Sequence, residues 1–300
     1  MPGPADHDAR MARARVALEG LSVGDAFGER FFTHPHVVEQ LIAARAVPAP
    51  PWRYTDDTEM ALGIVEVLQA AGGIHQDRLA ATFARRYIAN RHRGYGPTAH
   101  EILADIAAGA PWKIAAAAPF EGRGSLGNGG AMRAAPIGAY HADDIDAAAA
   151  AAIASAEITH AHPEGQAGAA AVAAATAWAW STRGARAGGL ARALLETARD
   201  HTPGGETRDG IARALALPAD ADVPAAVAAL GNGSRVSSAD TVPFALWCAA
   251  RHLDDYAEAM WQTVSGLGDR DTTCAIAGGI VAAAGAAVPE EWRACREALA

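Results

Sequence analysis

An all-α fold is what this chain predicts, and three observations carry the prediction. Alanine dominates, apolar residues recur at helical spacing, and no segment shows a strong strand pattern. Alanine has the best helix propensity and permits close helix–helix approach. With 300 residues and 51% hydrophobic content, the chain can bury a sizeable core. No linker divides it and no clean internal repeat is present. The proline-rich Val47–Trp52 stretch is the best breakpoint, yet it only leads into the next helix. A single domain over residues 1–300 follows.

The elements read as follows. Met60, Ile64 and Leu68, flanked by Ala61 and Val65, form one helical stripe that Gly72-Gly73 ends. Leu79, Phe83 and Tyr87 mark a second stripe, and Ile102 with Ile106 a third. Ala148–Thr159, Gly165–Trp180, Leu190–Ala198, Val223–Leu230, Pro243–His252 and Tyr256–Val264 read as helices of ordinary length. Ile276 and Ile280, with Ala277 and Val281, repeat the first pattern near the C-terminus. Pro203-Gly204-Gly205 and Asn232-Gly233 read as loops.

Formal net charge is −9, with acids and bases interspersed. Nothing in that balance draws the chain to bare nucleic acid or an anionic membrane. Three cysteines, at 248, 274 and 295, match neither a disulfide framework nor a metal motif, so a reducing compartment is expected. Met1–Gly20 is charged and lacks the apolar stretch of a signal peptide. The longest apolar run, around Ala167–Trp180, is short and mostly alanine, which fits a packed helix better than a membrane span. A soluble, cytoplasmic protein is expected.

The chemistry concentrates in two acidic clusters more than two hundred residues apart, each at an expected helix start. They are Tyr54-Thr55-Asp56-Asp57-Thr58-Glu59 and Gly268-Asp269-Arg270-Asp271-Thr272-Thr273. Helix capping explains part of this, since Asp and Thr are favoured N-caps and Asp56-x-x-Glu59 resembles a capping box. Capping needs one side-chain oxygen, whereas doubled acids add repulsion. Carboxylate and hydroxyl oxygens are hard ligands for Mg²⁺, Mn²⁺ or Ca²⁺, and neither cluster holds the Cys or His that zinc prefers. Four carboxylates exceed the usual protein share of one Mg²⁺, so a two-metal site is expected.

Five glycines fall within Gly122–Gly130, which exposes backbone N–H groups ahead of an expected helix start and suits a phosphate. A flexible connector explains the same composition. The segment matches neither a Walker loop nor a dinucleotide fingerprint. Thr159-His160-Ala161-His162 follows a helical stretch. Its histidines either cap a helix C-terminus, face solvent, or reach a ligand phosphate or ribose.

Together these segments resemble the ADP-ribosylglycohydrolase family, which includes the dinitrogenase-reductase-activating glycohydrolases. Gly20–Gly28 resembles its Gly-Asp-Ala segment and Tyr54–Met60 its Thr-Asp-Asp motif. Gly127–Pro136 is similar to its Gly-Asn-Gly…Met-Arg segment, Thr159-His160 to its Thr-His element, and Gly268–Ile280 to its C-terminal Asp-x-Asp-Thr helix. The likeness spans almost the whole chain, in family order. It implies a compact, orthogonal multi-helix fold with two Mg²⁺ or Mn²⁺ ions in a central cleft. The implied metal ligands are Thr55, Asp56, Asp57, Asp269, Asp271 and Thr272, with Asp271 bridging. It also implies that Gly124, Ser125, Leu126 and Asn128 cradle a diphosphate and distal ribose, with His160 nearby.

Two positions depart from the pattern. Phe32 stands where many relatives carry a glutamate that acts at the metal gate, with Glu29 the nearest acid. Leu126 stands where some relatives carry an aromatic that stacks on adenine.

The expected activity is hydrolysis at the anomeric carbon of ADP-ribose in an ADP-ribosylated protein or small adduct, with Asp56, Asp57 or Asp269 as proton acceptor. An ADP-ribose-binding protein without activity, and a metal-dependent phosphohydrolase of nucleotide diphosphates, are the alternatives.

Overall fold

The computed structural model describes residues 6–185 and 188–300. The first five residues of the Met1–Gly20 stretch lie outside the described residues. Among these residues the chain forms seventeen helical segments and no sheet. In order they are α1 (His7–Glu29), α2 (Pro35–Ala44), α3 (Asp56–Ala71), α4 (Gln76–Ala89), α5 (Pro97–Ala107) and α6 (Trp112–Ala117). Then come α7 (Pro119–Gly122), α8 (Ala135–Tyr140), α9 (Ile145–Glu157), α10 (Pro163–Ser181), α11 (Leu190–Asp200) and α12 (Glu206–Ala216). The last are α13 (Val223–Leu230), α14 (Ser238–Arg251), α15 (Tyr256–Ser265), α16 (Arg270–Ala284) and α17 (Glu290–Cys295). A 3-10 turn at Asn128–Gly130 precedes α8. No helix is long and apolar enough to cross a membrane, among the described residues.

Every stripe read from the sequence lies in a helix. Pro243 marked an expected start, since proline favours the first helical position. The helix begins instead at Ser238 and carries Pro243 inside it. Pro243 lacks the N–H that would bond one turn back, and the buried apolar face of α14 holds the helix together across that gap. The segment α1 has no stripe to find, because its buried face mixes Leu21, Val23 and Phe27 with Gly20, Ser22, Gly24, Asp25 and Gly28.

Those glycines explain the most intimate helix pair. Gly20, Gly24 and Gly28 lie four apart on one face of α1, and α16 packs antiparallel against them. A Cβ on each would overlap the carbonyl oxygen of Gly278, Cys274 and Arg270 respectively. The two backbones therefore touch, which no larger side chain permits. The contact brings the N-terminus of α16 beside the C-terminal turns of α1.

Alanine does the same for α10, which is buried nearly throughout and packs against α8, α9, α11, α14 and α16. An aromatic cluster locks the C-terminal end of α1. Phe27 stacks on Trp292 with centroids 4.5 Å apart, and Phe31, Trp52 and Trp261 close around it. The chain entering α3 is pinned by the C-terminal segment: the Trp52 amide donates to the Cys295 carbonyl and the Glu297 amide to that of Trp52.

Overpacking the backbone contact of α1 with α16 should cost about 1–3 kcal/mol. Urea denaturation of Gly24→Ala is expected to show that loss. Gly73→Ala, where a Cβ meets nothing within 4 Å, should be neutral or slightly stabilising. Equal effects from both substitutions would contradict the close-packing account.

Candidate active site

Thr55 is the N-cap of α3. Its backbone lies in the extended region and its hydroxyl accepts from the Asp57 amide. Beneath it stands Asp25 of α1, fully buried. Asp25 accepts hydrogen bonds from the amides of Thr55 and Thr58 and from both their hydroxyls, including Thr55 Oγ1 at 2.8 Å. One carboxylate thus closes the N-terminus of α3 in a favourable position for the helix dipole. Burial, the larger influence, still lifts the Asp25 carboxyl to about 6, against the lowering effect of those donors. The Asp56–Glu59 capping box does not form. Glu59 turns to Arg86, whose Nε lies 2.8 Å from Oε1.

With Thr55 and Asp25 occupied by each other, Asp56 and Asp57 project into a cavity of about 470 Å³. The second acidic cluster lines the same cavity through Asp269, Asp271 and Thr272. Folding therefore unites the two distant segments. Asp269 is the N-cap residue of α16 and donates through its amide to the Asn232 carbonyl at 3.1 Å. Leu267 and Gly268, both at positive φ, make the preceding turn, and a Cβ on Gly268 would strike Asn232. The Asn128 side-chain amide donates to Asp269 Oδ2 at 2.7 Å and to Thr241 Oγ1 at 3.0 Å. Asn128 thus holds Asp269 in place from the glycine loop.

The carboxyls repel one another. Burial first, then the charge of Asp271, drives Asp57 well above the carboxylate range. Burial and then Asp269 do the same to Asp271. Burial followed by Asp25 raises Asp56 to about 8. The Oδ2 of Asp57 is buried without any hydrogen-bond partner. No three or more His, Cys, Asp or Glu side chains converge as a ready-made cation cage among the described residues. The oxygen set is instead a few carboxylates with the Thr272 hydroxyl beside them, and Thr55 stands behind rather than on the cavity wall.

Another part of the cavity comes from the glycine loop, and Gly94, Gly96, Pro97, Thr98 and Ala99 supply more of its wall. Ser125, Leu126, Gly127, Asn128 and Gly129 line it. Gly124 does not; its positive φ and contact with Ala161 serve the loop's path, since a Cβ there would sit 2.6 Å from Ala161 Cβ. The Ser125 hydroxyl accepts from the Gly127 amide, while the amides of Ser125 and Leu126 have no acceptor among the described residues. Successive amides without an internal acceptor suit an anion. His160 also lines the cavity and is buried. His162 does not cap a helix C-terminus; it starts α10 by accepting from the Glu164 amide at 3.1 Å.

Two lining residues, Phe120 and Val236, carried no signal in the sequence. With Leu126 they are 53%, 57% and 42% exposed on the cavity wall, and Phe120 and Val236 both hold positive φ. Only their place in the fold groups them. Asp25 was visible within the Gly20–Gly28 segment but without a role. Phe32 lies outside this cavity, under the Arg270 guanidinium at 4.9 Å. Glu29 ends α1 one turn beyond Asp25, and burial followed by the Asp25 charge raises its carboxyl.

The chain is 31% identical to ADP-ribosylhydrolase ARH3 of Homo sapiens over 141 residues, which cover 42% of this chain and 39% of that protein. It is 31% identical over 144 residues to the ADP-ribosyl-[dinitrogen reductase] glycohydrolase of Rhodospirillum rubrum, covering 45% and 46% of the two chains. These alignments span less than half the length of either relative. An uncharacterised protein of Archaeoglobus fulgidus aligns at 29% identity over 93% of this chain and 89% of its own. A solved ADP-ribosylglycohydrolase-related protein complex contains a chain with the same fold, at a TM-score of 0.64 and 24% identity over 97% of this chain and 94% of that one. The family model for ADP-ribosylglycohydrolase matches residues 6–299, and the chain belongs to that family.

Proposed function

We propose that this chain hydrolyses the glycosidic bond at the anomeric carbon of ADP-ribose, in an ADP-ribosylated protein or a small ADP-ribosyl adduct. The observation that carries this reading is a single cavity with three unlike kinds of lining. Carboxylates, the glycine loop with His160, and the exposed apolar side chains of Phe120, Leu126 and Val236 share one wall. A molecule with a hydroxylated sugar, a diphosphate and a planar base has a use for each. The free Ser125 and Leu126 amides suit the diphosphate. Phe120, with Leu126 and Val236, presents an apolar face to the base.

The acidic end fits divalent cations, and two Mg²⁺ or Mn²⁺ ions are the proposed cofactors. The support is the orphaned Asp57 Oδ2, the mutual repulsion of the carboxyls, and the hard oxygen set. Mg²⁺ keeps several waters and takes only one or two carboxylates, so the lack of a three-acid cage is compatible with it. Asp56, Asp57, Asp269, Asp271 and Thr272 would hold the ions, with Thr55 orienting the first pair from behind. Bound there, divalent cations supply the positive charge that activates water and orients ribose hydroxyls. Asp56, Asp57 and Asp269 are the side chains able to accept the proton of the attacking water. Asn128 and the Asn232 turn fix the direction of Asp269. The buried Arg133 lowers the cost of charge on Asp56.

Assay of an ADP-ribosylated peptide with Mg²⁺ and Mn²⁺ should release ADP-ribose. Release of AMP would point to pyrophosphate cleavage, and binding without turnover to a protein that only captures the ligand. Asp57→Asn and Asp271→Asn are each expected to lower kcat/KM about 10²–10⁴-fold. Full activity in either variant would sink the acidic-site mechanism. Phe120→Ala should raise KM about 2–10-fold with little change in kcat; an unchanged KM would remove Phe120 from base recognition.

The raised carboxyls also predict a pH effect. In cation-free protein the folded state keeps protons on Asp25 (about 6) and Asp56 (about 8) that an unfolded chain has released above its ordinary value of 3.8. This contribution to stability is full below that value and is lost as pH rises through about 6 and about 8. Thermal melts in chelator should fall in Tm between pH 5 and 8. Added Mg²⁺ or Mn²⁺ should flatten the decline, and a cation-free Tm that rises across this window would contradict the account.

A further inference from the structure

Behind the glycine loop runs a chain of buried polar groups: Arg133, Thr159 and His160. Arg133 Nη2 donates to the Ser155 carbonyl and to Thr159 Oγ1, each at 2.9 Å, which uses both of that nitrogen's hydrogens. Thr159 Oγ1 lies 2.8 Å from His160 Nδ1. The guanidinium can only donate, so Thr159 Oγ1 is an acceptor toward Arg133. Its own hydrogen then needs an acceptor, and His160 Nδ1 is the one within reach. The opposite arrangement, with Nδ1–H donating to Oγ1, would leave the buried hydroxyl hydrogen unsatisfied.

The other edge of the ring meets the loop. A Cβ on Gly129 would sit 2.9 Å from His160 Cε1 and 3.1 Å from Nε2, and one on Gly127 would sit 3.3 Å from Nε2. Nε2 itself has no hydrogen-bond partner among the described residues, although the side chain is more than nine-tenths buried and lines the cavity. Burial first, and then the Arg133 charge, push the imidazole down to about 3, so the ring is neutral near pH 7. A neutral ring has one N–H, and which nitrogen carries it decides whether the cavity meets a donor or an acceptor.

We infer that Thr159, itself oriented by Arg133, is a positioning residue that holds His160 as the Nε2–H tautomer, so that the ring presents a hydrogen-bond donor to a phosphate oxygen seated against the glycine loop. This rests on the proposed function for the identity of the ligand, and on the geometry alone for the tautomer. A neutral donor suits this place. An anion gains a hydrogen bond there, and no further cation has to be buried beside Arg133. The opposite tautomer would turn a lone pair toward the phosphate and repel it.

Two measurements test the inference. In protein carrying ¹⁵N-labelled histidine, long-range ¹H–¹⁵N correlation should show His160, assigned with His160→Asn, as a neutral Nε2–H ring at pH 7 without any ligand. An Nδ1–H ring or an imidazolium would overturn the relay. Calorimetry with ADP-ribose should show Thr159→Val, which keeps the shape and removes the hydroxyl, binding at least about fivefold more weakly, with Thr159→Ser restoring affinity. Unchanged affinity in Thr159→Val would overturn the role in binding. If Thr159→Val does not fold, failure of Thr159→Ser to keep both the tautomer and the affinity of the unsubstituted protein would count against the relay. If the unsubstituted chain does not bind ADP-ribose, the functional reading falls, while the spectrum of the free protein still decides the tautomer.

Discussion

The backbone contact between α1 and α16 governs the site. Gly20, Gly24 and Gly28 let two antiparallel helices touch main chain to main chain, and any side chain on that face would drive them apart. The start of α16 carries Asp269 and Asp271, and the final turns of α1 carry Asp25 and Glu29. Asp25 in turn holds the start of α3, with Asp56 and Asp57. A chain of three helices thus sets the distance between the two acidic clusters. A rigid, side-chain-free contact holds the carboxylates' spacing, which is the support a cation site or a reacting centre needs.

The site concentrates unfavourable charge and relieves it unevenly. Asp25 is fully buried yet surrounded by donors, so it serves structure. Asp57 and Asp271 line the same cavity, and burial first, then neighbouring carboxylate charge, drives both carboxyls up. Arg133 is buried without a paired carboxylate; its hydrogen bonds go to a carbonyl, a hydroxyl and the Met60 sulfur, and its guanidinium lies 4.6 Å from the Phe83 ring centroid. Such incompletely satisfied groups cost stability wherever they serve no purpose. Their gathering around one cavity is the physical argument that the cavity is functional.

The two departures from the family pattern look different in three dimensions. Phe32 sits in a separate surface groove under Arg270, while Glu29 is the acid whose charge environment includes Asp25 and Asp269. Leu126 is not alone on the cavity wall, because Phe120 is held there in a left-handed turn. The aromatic surface that position 126 lacks is present six residues earlier in the chain.

Local sequence determined the helical class, most of the helices and the start of α3 at the acidic cluster, because helical spacing and capping preferences act within a few residues. It also exposed the acids, since paired carboxylates at a helix start exceed what a cap requires. The role of α1 was hidden, as glycines on a buried face add nothing to an apolar stripe, although their spacing of four was there to be seen. The early start of α14 was hidden for a similar reason, since tertiary packing compensates for Pro243. Only the folded chain decided that Asn128 holds Asp269, that Glu59 leaves the acidic cluster for Arg86, and that Phe120 and Val236 share a cavity wall. Each depends on contacts between residues far apart in the chain, and those distances are set by packing rather than by local preference.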